Sequence, residues 1–147
     1  MIRLIIFNTL LVGACGYALW RGRSDERLAA IACIIATAAS IALVAPAGLR
    51  YASVELGVLI VDVFTLGAFT FVALRSDRFW PLWISGLQLT TSTAHFLKAL
   101  DPDMVPIAYA AAGRLWSYPI LLILAVGTWR SRRRLHFQPI DASAYRP

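Results

Sequence analysis

Hydrophobic residues form five long runs along the chain, and only short polar stretches separate them. The runs cover about residues 2–20, 28–47, 51–74, 79–97 and 105–129. A helix rises about 1.5 Å per residue, so about 20 residues cross the ~30 Å hydrocarbon core of a bilayer. Membrane β-strands are shorter and alternate polar with apolar positions, and these runs do neither. The pattern therefore predicts an all-α, polytopic membrane protein with five transmembrane helices.

The polar stretches between the runs are too short to form domains of their own. Short connections make consecutive helices antiparallel neighbours, as in compact helical bundles. Only the segment after the fifth run is longer than a loop, and it begins with a cluster of arginines. We expect a five-helix transmembrane domain over residues 1–129 and a basic cytoplasmic tail over residues 130–147.

Composition supports the membrane class and narrows it. The 147 residues are 59% hydrophobic and 15% charged, with a mean hydropathy of +0.68. About a quarter of the residues in a typical soluble domain are charged. A disordered chain, a disulfide scaffold and an ordinary soluble enzyme are therefore excluded. A small multi-pass chain with such short loops is typical of a bacterial inner (plasma) membrane, where we expect this protein to lie.

The distribution of charge predicts an orientation. The net charge is +6, and every cation except Lys98 is an arginine. Cytoplasmic loops of membrane proteins carry an excess of basic residues. With the N-terminus outside, three cations lie outside, at positions 3, 50 and 98, and ten arginines lie inside: Arg21, Arg23, Arg27, Arg75, Arg78, Arg130, Arg132, Arg133, Arg134 and Arg146. We predict an external N-terminus and a cytoplasmic C-terminus. A nucleic-acid partner is not expected, because the sequence predicts no soluble domain that could present these cations as a basic surface.

Four ionisable residues fall inside the predicted spans: Glu55, Asp62, His95 and Arg114. Such residues are costly in lipid and need partners. Asp62 and Arg114 match in predicted depth, which suggests an ion pair between the third and fifth helices. Glu55 and His95 match in the outer half and could pair between the third and fourth. Each pair is either part of a proton or ion relay, or a structural pair that fixes the helix register.

The fourth run carries a polar stripe. Ser85, Gln88, Ser92 and His95 follow one another at intervals of three, four and three residues, which places them on one helix face. A polar stripe on a membrane helix faces protein or water rather than lipid tails. We therefore predict that this stripe forms a polar interior against the third and fifth helices.

No cofactor or metal site is expected. A membrane-embedded haem needs a second axial histidine opposite His95, and the other histidine, His136, belongs to the opposite end of the bundle. A retinal Schiff base needs a buried lysine, whereas Lys98 lies at the outer interface. Glu55, Asp62 and His95 include suitable metal-ligand types but follow no recognised metal-binding spacing.

The two cysteines lie in the first two runs. Cys15 and Cys33 are each about six residues from the predicted inner loop, so they share a depth and could touch. No CxxC motif accompanies them, and lipid is a poor medium for a thiolate. We expect two small buried side chains rather than thiol chemistry.

The tail is basic from its first residue. Arg130, Arg132, Arg133 and Arg134 would lie just inside the membrane, where clustered cations attract anionic lipid headgroups. The same cluster also serves as a topological signal, and that role alone would account for it.

Two functions remain open. The first is a non-enzymatic accessory or assembly subunit of a larger membrane complex, because the chain is small, lacks soluble domains and offers little material for a pathway through one copy. The second is a small homo-oligomeric transporter or proton/cation conductor. There, Asp62 and Glu55 would select the ion, His95 would respond to pH and Arg114 would be the counter-charge. Partners are therefore the bilayer and other membrane subunits or further copies of the chain.

Overall fold

A computed structural model describes residues 2–43, 56–100 and 115–136. In this part of the chain the regular structure is entirely helical, which confirms the predicted all-α class. The five helices are α1 (Ile2–Arg21), α2 (Ser24–Leu43), α3 (Leu56–Arg75), α4 (Trp80–Leu100) and α5 (Ser117–His136).

The helices pack as a closed ring. Each helix contacts the next in sequence, α5 contacts α1, and α2 also reaches α5 across the middle. Two residues join α1 to α2, and four join α3 to α4, so these pairs are antiparallel. Leu43 at the end of α2 lies against Gly57 at the start of α3.

Helices α1 and α5 run in parallel. Tyr118 near the start of α5 donates a hydrogen bond to the Arg3 carbonyl (3.4 Å) and meets the Phe7 ring edge-on. Helices α1, α3 and α5 therefore finish at the end of the bundle where α2 and α4 begin. We call this the arginine end, after the cations gathered there: Arg21, Arg23, Arg27, Arg75, Arg78, Arg130, Arg132, Arg133 and Arg134.

Three helices, α1, α2 and α3, are long and apolar enough to cross a membrane. Their outward side chains are large and apolar, for example Phe64, Leu74 and Trp20, which are 73%, 84% and 74% exposed. Contiguous apolar surface of this kind suits a lipid environment. Helix α4 and the described part of α5 are not apolar enough to meet this criterion of length and hydropathy. Helix α4 carries the polar stripe, and α5 includes the arginine cluster.

Two differences from the sequence-based bounds change the picture of the arginine end. Helix α2 begins at Ser24 rather than at residue 28, because the Glu26 carboxylate accepts the backbone N–H of Arg23 (2.9 Å) and so caps the helix. Helix α5 continues to His136, through residues 130–134 of the predicted tail.

Small side chains allow α1 and α2 to approach closely near the arginine end. Ala14, Cys15 and Ala18 of α1 are buried, as are their counterparts in α2, which are Ala29, Ala30 and Cys33. Small residues at such contacts let helix backbones pack tightly in a membrane. Both cysteines are free and belong to the same packed cluster of buried side chains. The expected small buried side chains are therefore present.

Candidate functional site

Three polar side chains meet between α3 and α4. Asp62 lies on α3, and its carboxylate receives one partner at each oxygen. Gln88 Nε2 donates to Asp62 Oδ1 at 3.0 Å, and His95 Nε2 lies 3.0 Å from Asp62 Oδ2. Gln88 also donates to the Asp62 backbone carbonyl at 3.3 Å. We call Asp62, Gln88 and His95 the Asp62 cluster.

The helix register explains why these residues meet. Gln88 and His95 are seven residues apart, or two helical turns, so both project from one face of α4. Asp62 lies opposite them on the antiparallel α3. Gln88 and His95 are buried, and the Asp62 side chain is 15% exposed. In a low-dielectric setting, contacts to both carboxylate oxygens remove much of the cost of burying the group.

The cluster has a defined proton chemistry. When Asp62 is ionised, His95 must carry a proton on Nε2 in order to donate to it. The contact therefore sets which imidazole tautomer a neutral His95 adopts beside an ionised Asp62. This arrangement can hold a proton, either as a fixed structural charge pair or as one step of a relay.

The Asp62–His95 contact joins residues that the sequence had assigned to different pairs. Glu55 and Arg114, the predicted partners, lie outside the described residues, so both predicted pairs stay predictions. The new contact follows from the helix bounds. Asp62 is six residues after the described start of α3 at Leu56, and His95 is five before the end of α4 at Leu100. Their depths therefore match.

The polar stripe of α4 faces the protein. Ser92 is buried with Gln88 and His95, while Ser85 is half-buried. The hydroxyl oxygens of Ser85 and Ser92 have no hydrogen-bond partner in the described part of the chain. Thr91 on the same side donates to the Leu87 carbonyl of its own helix. The two serines therefore leave hydrogen-bonding capacity beside the Asp62 cluster.

A second charged contact lies at the arginine end. Glu26 is completely buried, and Arg78 Nη1 reaches its Oε1 at 2.6 Å, while its Oε2 caps α2. This pair ties the start of α2 to the α3–α4 link. Glu26 is not among the residues predicted from the sequence. The available signal was an acid at the third helical position, the usual place for a carboxylate that caps the helix start.

A cleft opens between the ends of α1 and α5. It has a volume of about 400 Å³ and six lining residues: Tyr17, Trp20, Arg21, Trp129, Arg132 and Arg133. The Arg21 guanidinium lies 4.3 Å from the centre of a Trp20 ring, and the Arg133 guanidinium lies 4.5 Å from that of Trp129. The other arginines of the predicted headgroup set, Arg130 and Arg134, are exposed outside this lining.

Metal ligands do not cluster in the described part of the chain, where no group of three His, Cys, Asp or Glu side chains could hold an ion. Comparisons with protein-family models, with curated proteins and with solved structures find no match to this chain.

Proposed function

We propose that the chain is a five-span protein of a bacterial inner membrane, with its N-terminus outside and its arginine end in the cytoplasm. The charge distribution supports this orientation, since basic residues favour the cytoplasmic side. The three apolar helices provide the first three spans. The case for α4 and α5 depends on which of their residues face outward.

The polar residues of α4 suit a span that packs against protein on one side. Gln88 and His95 point at α3, and Thr90 and Thr93, which face outward, donate to carbonyls of their own helix at Gly86 and Leu89. A membrane helix tolerates threonines bonded in this way. The other outward side chains are large and apolar, namely Leu82, Trp83, Leu89, Phe96 and Leu97. Mean hydropathy therefore understates how well α4 fits a bilayer.

Helix α5 follows α1 from one end of the bundle to the other. Tyr118 contacts α1 near its start, and Trp129 faces it near its end. Outward residues between these points, Leu122 and Val126, are apolar. Because α1 is itself of spanning length and composition, a helix that runs beside it in parallel belongs to the same layer.

Within that membrane we propose that the protein is an accessory or assembly subunit of a larger complex. The supporting observation is a closed apolar core on the arginine side of the Asp62 cluster. Phe69, Ile84 and Leu124, from α3, α4 and α5, are no more than 1% exposed and belong to one packed cluster. A single copy thus has buried polar groups in its outer half, and closely packed apolar side chains fill its interior on the cytoplasmic side of them. Such an arrangement favours binding to other subunits over conduction.

The test is extraction of native membranes with a mild detergent, followed by sizing and mass spectrometry of co-migrating chains. We expect foreign membrane subunits in fixed stoichiometry. We also expect the amount of that complex to fall in cells that lack this chain and to recover when the chain is restored. A chain that migrates alone or only with copies of itself, and whose loss changes no complex, would refute the subunit proposal.

A second candidate is a proton-conducting homo-oligomer, and the 3.0 Å contact between Asp62 and His95 favours it. In vesicles with a pH gradient, this function predicts proton flux that Asp62→Asn abolishes. Asp77→Asn makes the same change at an exposed position in the α3–α4 link and should leave the flux intact. Wild-type vesicles without flux would rule out this candidate.

A further inference from the structure

The cleft at the arginine end has the chemistry of an anion site. Three of its lining residues, Arg21, Arg132 and Arg133, are cations, and none of the lining residues is acidic. Arginine presents several N–H donors in a plane, which suits the bidentate recognition of phosphate oxygens. The α1 side chains and the α5 side chains face each other here because the two helices end side by side.

Two of the arginines are oriented by tryptophan. Arg21 stacks over Trp20 and Arg133 over Trp129, at 4.3 and 4.5 Å. Stacking on an aromatic face uses the plane of the guanidinium and leaves its N–H edge able to bond an anion. It also limits the conformations that the long side chains sample, so less entropy is lost when an anion binds.

The aromatic side chains identify the source of the phosphate. Trp20 is 74% exposed at the end of α1, and Trp129 is 48% exposed about two turns before the end of α5, where α5 lies beside the end of α1. Exposed tryptophans at such positions sit at the headgroup level of a bilayer, beside the start of the acyl chains. A ligand that contacts both the arginines and the indoles must carry phosphate and hydrocarbon together. Free phosphate would contact the arginines and leave the indoles without a ligand.

We propose that the cleft between α1 and α5 binds the phosphate headgroup of an anionic phospholipid, with Arg21, Arg132 and Arg133 as the phosphate ligands. The inference rests on the proposed membrane orientation and is independent of the accessory function. It differs from general attraction to the basic tail, because it assigns a role to Arg21 of α1 and none to Arg130 and Arg134.

The test compares two double variants with the same change in charge. Purified protein in detergent receives defined phosphatidylglycerol or phosphatidylcholine, and native mass spectrometry measures retained lipid. At roughly a fivefold loss per headgroup-binding cation, Arg21→Gln with Arg133→Gln should lower phosphatidylglycerol retention about thirtyfold. Arg130→Gln with Arg134→Gln should leave retention within about twofold of wild type. Arg21→Lys with Arg133→Lys keeps the charge but not the guanidinium plane and should give an intermediate loss.

Several outcomes would overturn the proposal. Equal losses in the two glutamine variants would mean that net charge alone attracts the lipid, and unchanged retention in both would mean that the cleft binds none. Release of the lipid by inorganic phosphate would assign the site to the free anion. Failure of the chain to enter detergent micelles or nanodiscs would refute the membrane topology instead, so the two failures are distinguishable. An unchanged Tm in each variant shows that the fold is retained.

Discussion

The carboxylate side chain of Glu26 is completely buried. It is stabilised by Arg78, whose side chain is 23% exposed, and by the Arg23 backbone N–H. The two members of the ion pair therefore differ in how they respond to loss of the partner. Arg78 without Glu26 can still contact water, whereas Glu26 without Arg78 is a buried and largely uncompensated charge. Removing one partner of a buried ion pair lowers the stability of a protein by much more than the whole pair contributes to it.

We expect Arg78→Gln to destabilise the protein more than Glu26→Gln. The first change should lower the free energy of unfolding by about 3 kcal/mol or more, the cost typical of an unpaired buried charge. The second should cost about 1 kcal/mol, because a glutamine can still accept the Arg23 N–H and cap α2. Unfolding of the purified protein in mixed micelles, followed by circular dichroism at neutral pH, measures both. Equal costs would mean that Glu26 is not held as a buried anion.

Helix α4 meets its two neighbours in different ways. Against α3 the contact is polar and depends on Asp62. Against α5 it depends on a glycine, because a Cβ atom added at Gly127 would lie 2.9–3.2 Å from the Trp80 ring. Those ring atoms lie close to the backbone of the tryptophan, so the ring cannot move aside freely. The glycine therefore sets the distance between α4 and α5.

Gly127→Ala should lower the free energy of unfolding by about 1–3 kcal/mol, as is usual when a tightly packed contact is overfilled. Gly86→Ala is the matched control on α4, since nothing lies within 4 Å of a Cβ added there. That change should be neutral or stabilising by up to about 1 kcal/mol, because alanine favours a helix over glycine. A Gly127 variant as stable as the Gly86 variant would contradict the close approach of α4 and α5.

The Asp62 contacts give a second comparison between variants. Asp62→Ala removes the carboxylate that accepts from the buried Gln88 amide, leaves it only the longer bond to the backbone carbonyl of residue 62, and should cost about 1–3 kcal/mol. Asp62→Asn should cost less than half as much, because the asparagine carbonyl can accept from Gln88 while its amide donates to a neutral His95 ring. Thermal unfolding of the two variants checks the order. If alanine and asparagine cost the same, the contact with Gln88 contributes nothing to the α3–α4 interface.

The sequence predicted the helices better than their contacts. Periods and lengths of apolar runs are local properties, so five helices and the inward face of the α4 stripe could be predicted. Pairing by depth could not, because an error of a few residues in a helix end shifts the depth of every residue on it. The Asp62–His95 contact shows this, since depth matching did not predict it, while the predicted partners Glu55 and Arg114 lie outside the described residues. The Glu26 cap extended α2 by four residues into a polar stretch that hydropathy assigned to a loop.

At the scale of the whole molecule, the parallel arrangement of α1, α3 and α5 gathers the cations at one end. Arg21, Arg75 and Arg132 approach one surface from three helices, whereas α2 and α4 begin there. In a bilayer, this asymmetry favours the orientation that leaves the arginine end in the cytoplasm. The same orientation would bring the α1–α5 cleft to the inner leaflet, where anionic headgroups attract basic segments. The orientation therefore determines which lipids the cleft meets.

Labelling of single cysteines tests this orientation directly. In a Cys15→Ala, Cys33→Ala background, Asp77→Cys places a thiol in the exposed α3–α4 link at the arginine end, and Ile2→Cys places one at the start of α1. A membrane-impermeant maleimide should label Ile2→Cys in intact spheroplasts and leave Asp77→Cys unlabelled, while inverted vesicles should give the reverse. The variants control for each other, since each must react from one side. The opposite pattern would put the arginine end outside, against the charge rule, and labelling of both from one side would mean that α1, α2 and α3 do not all cross the membrane.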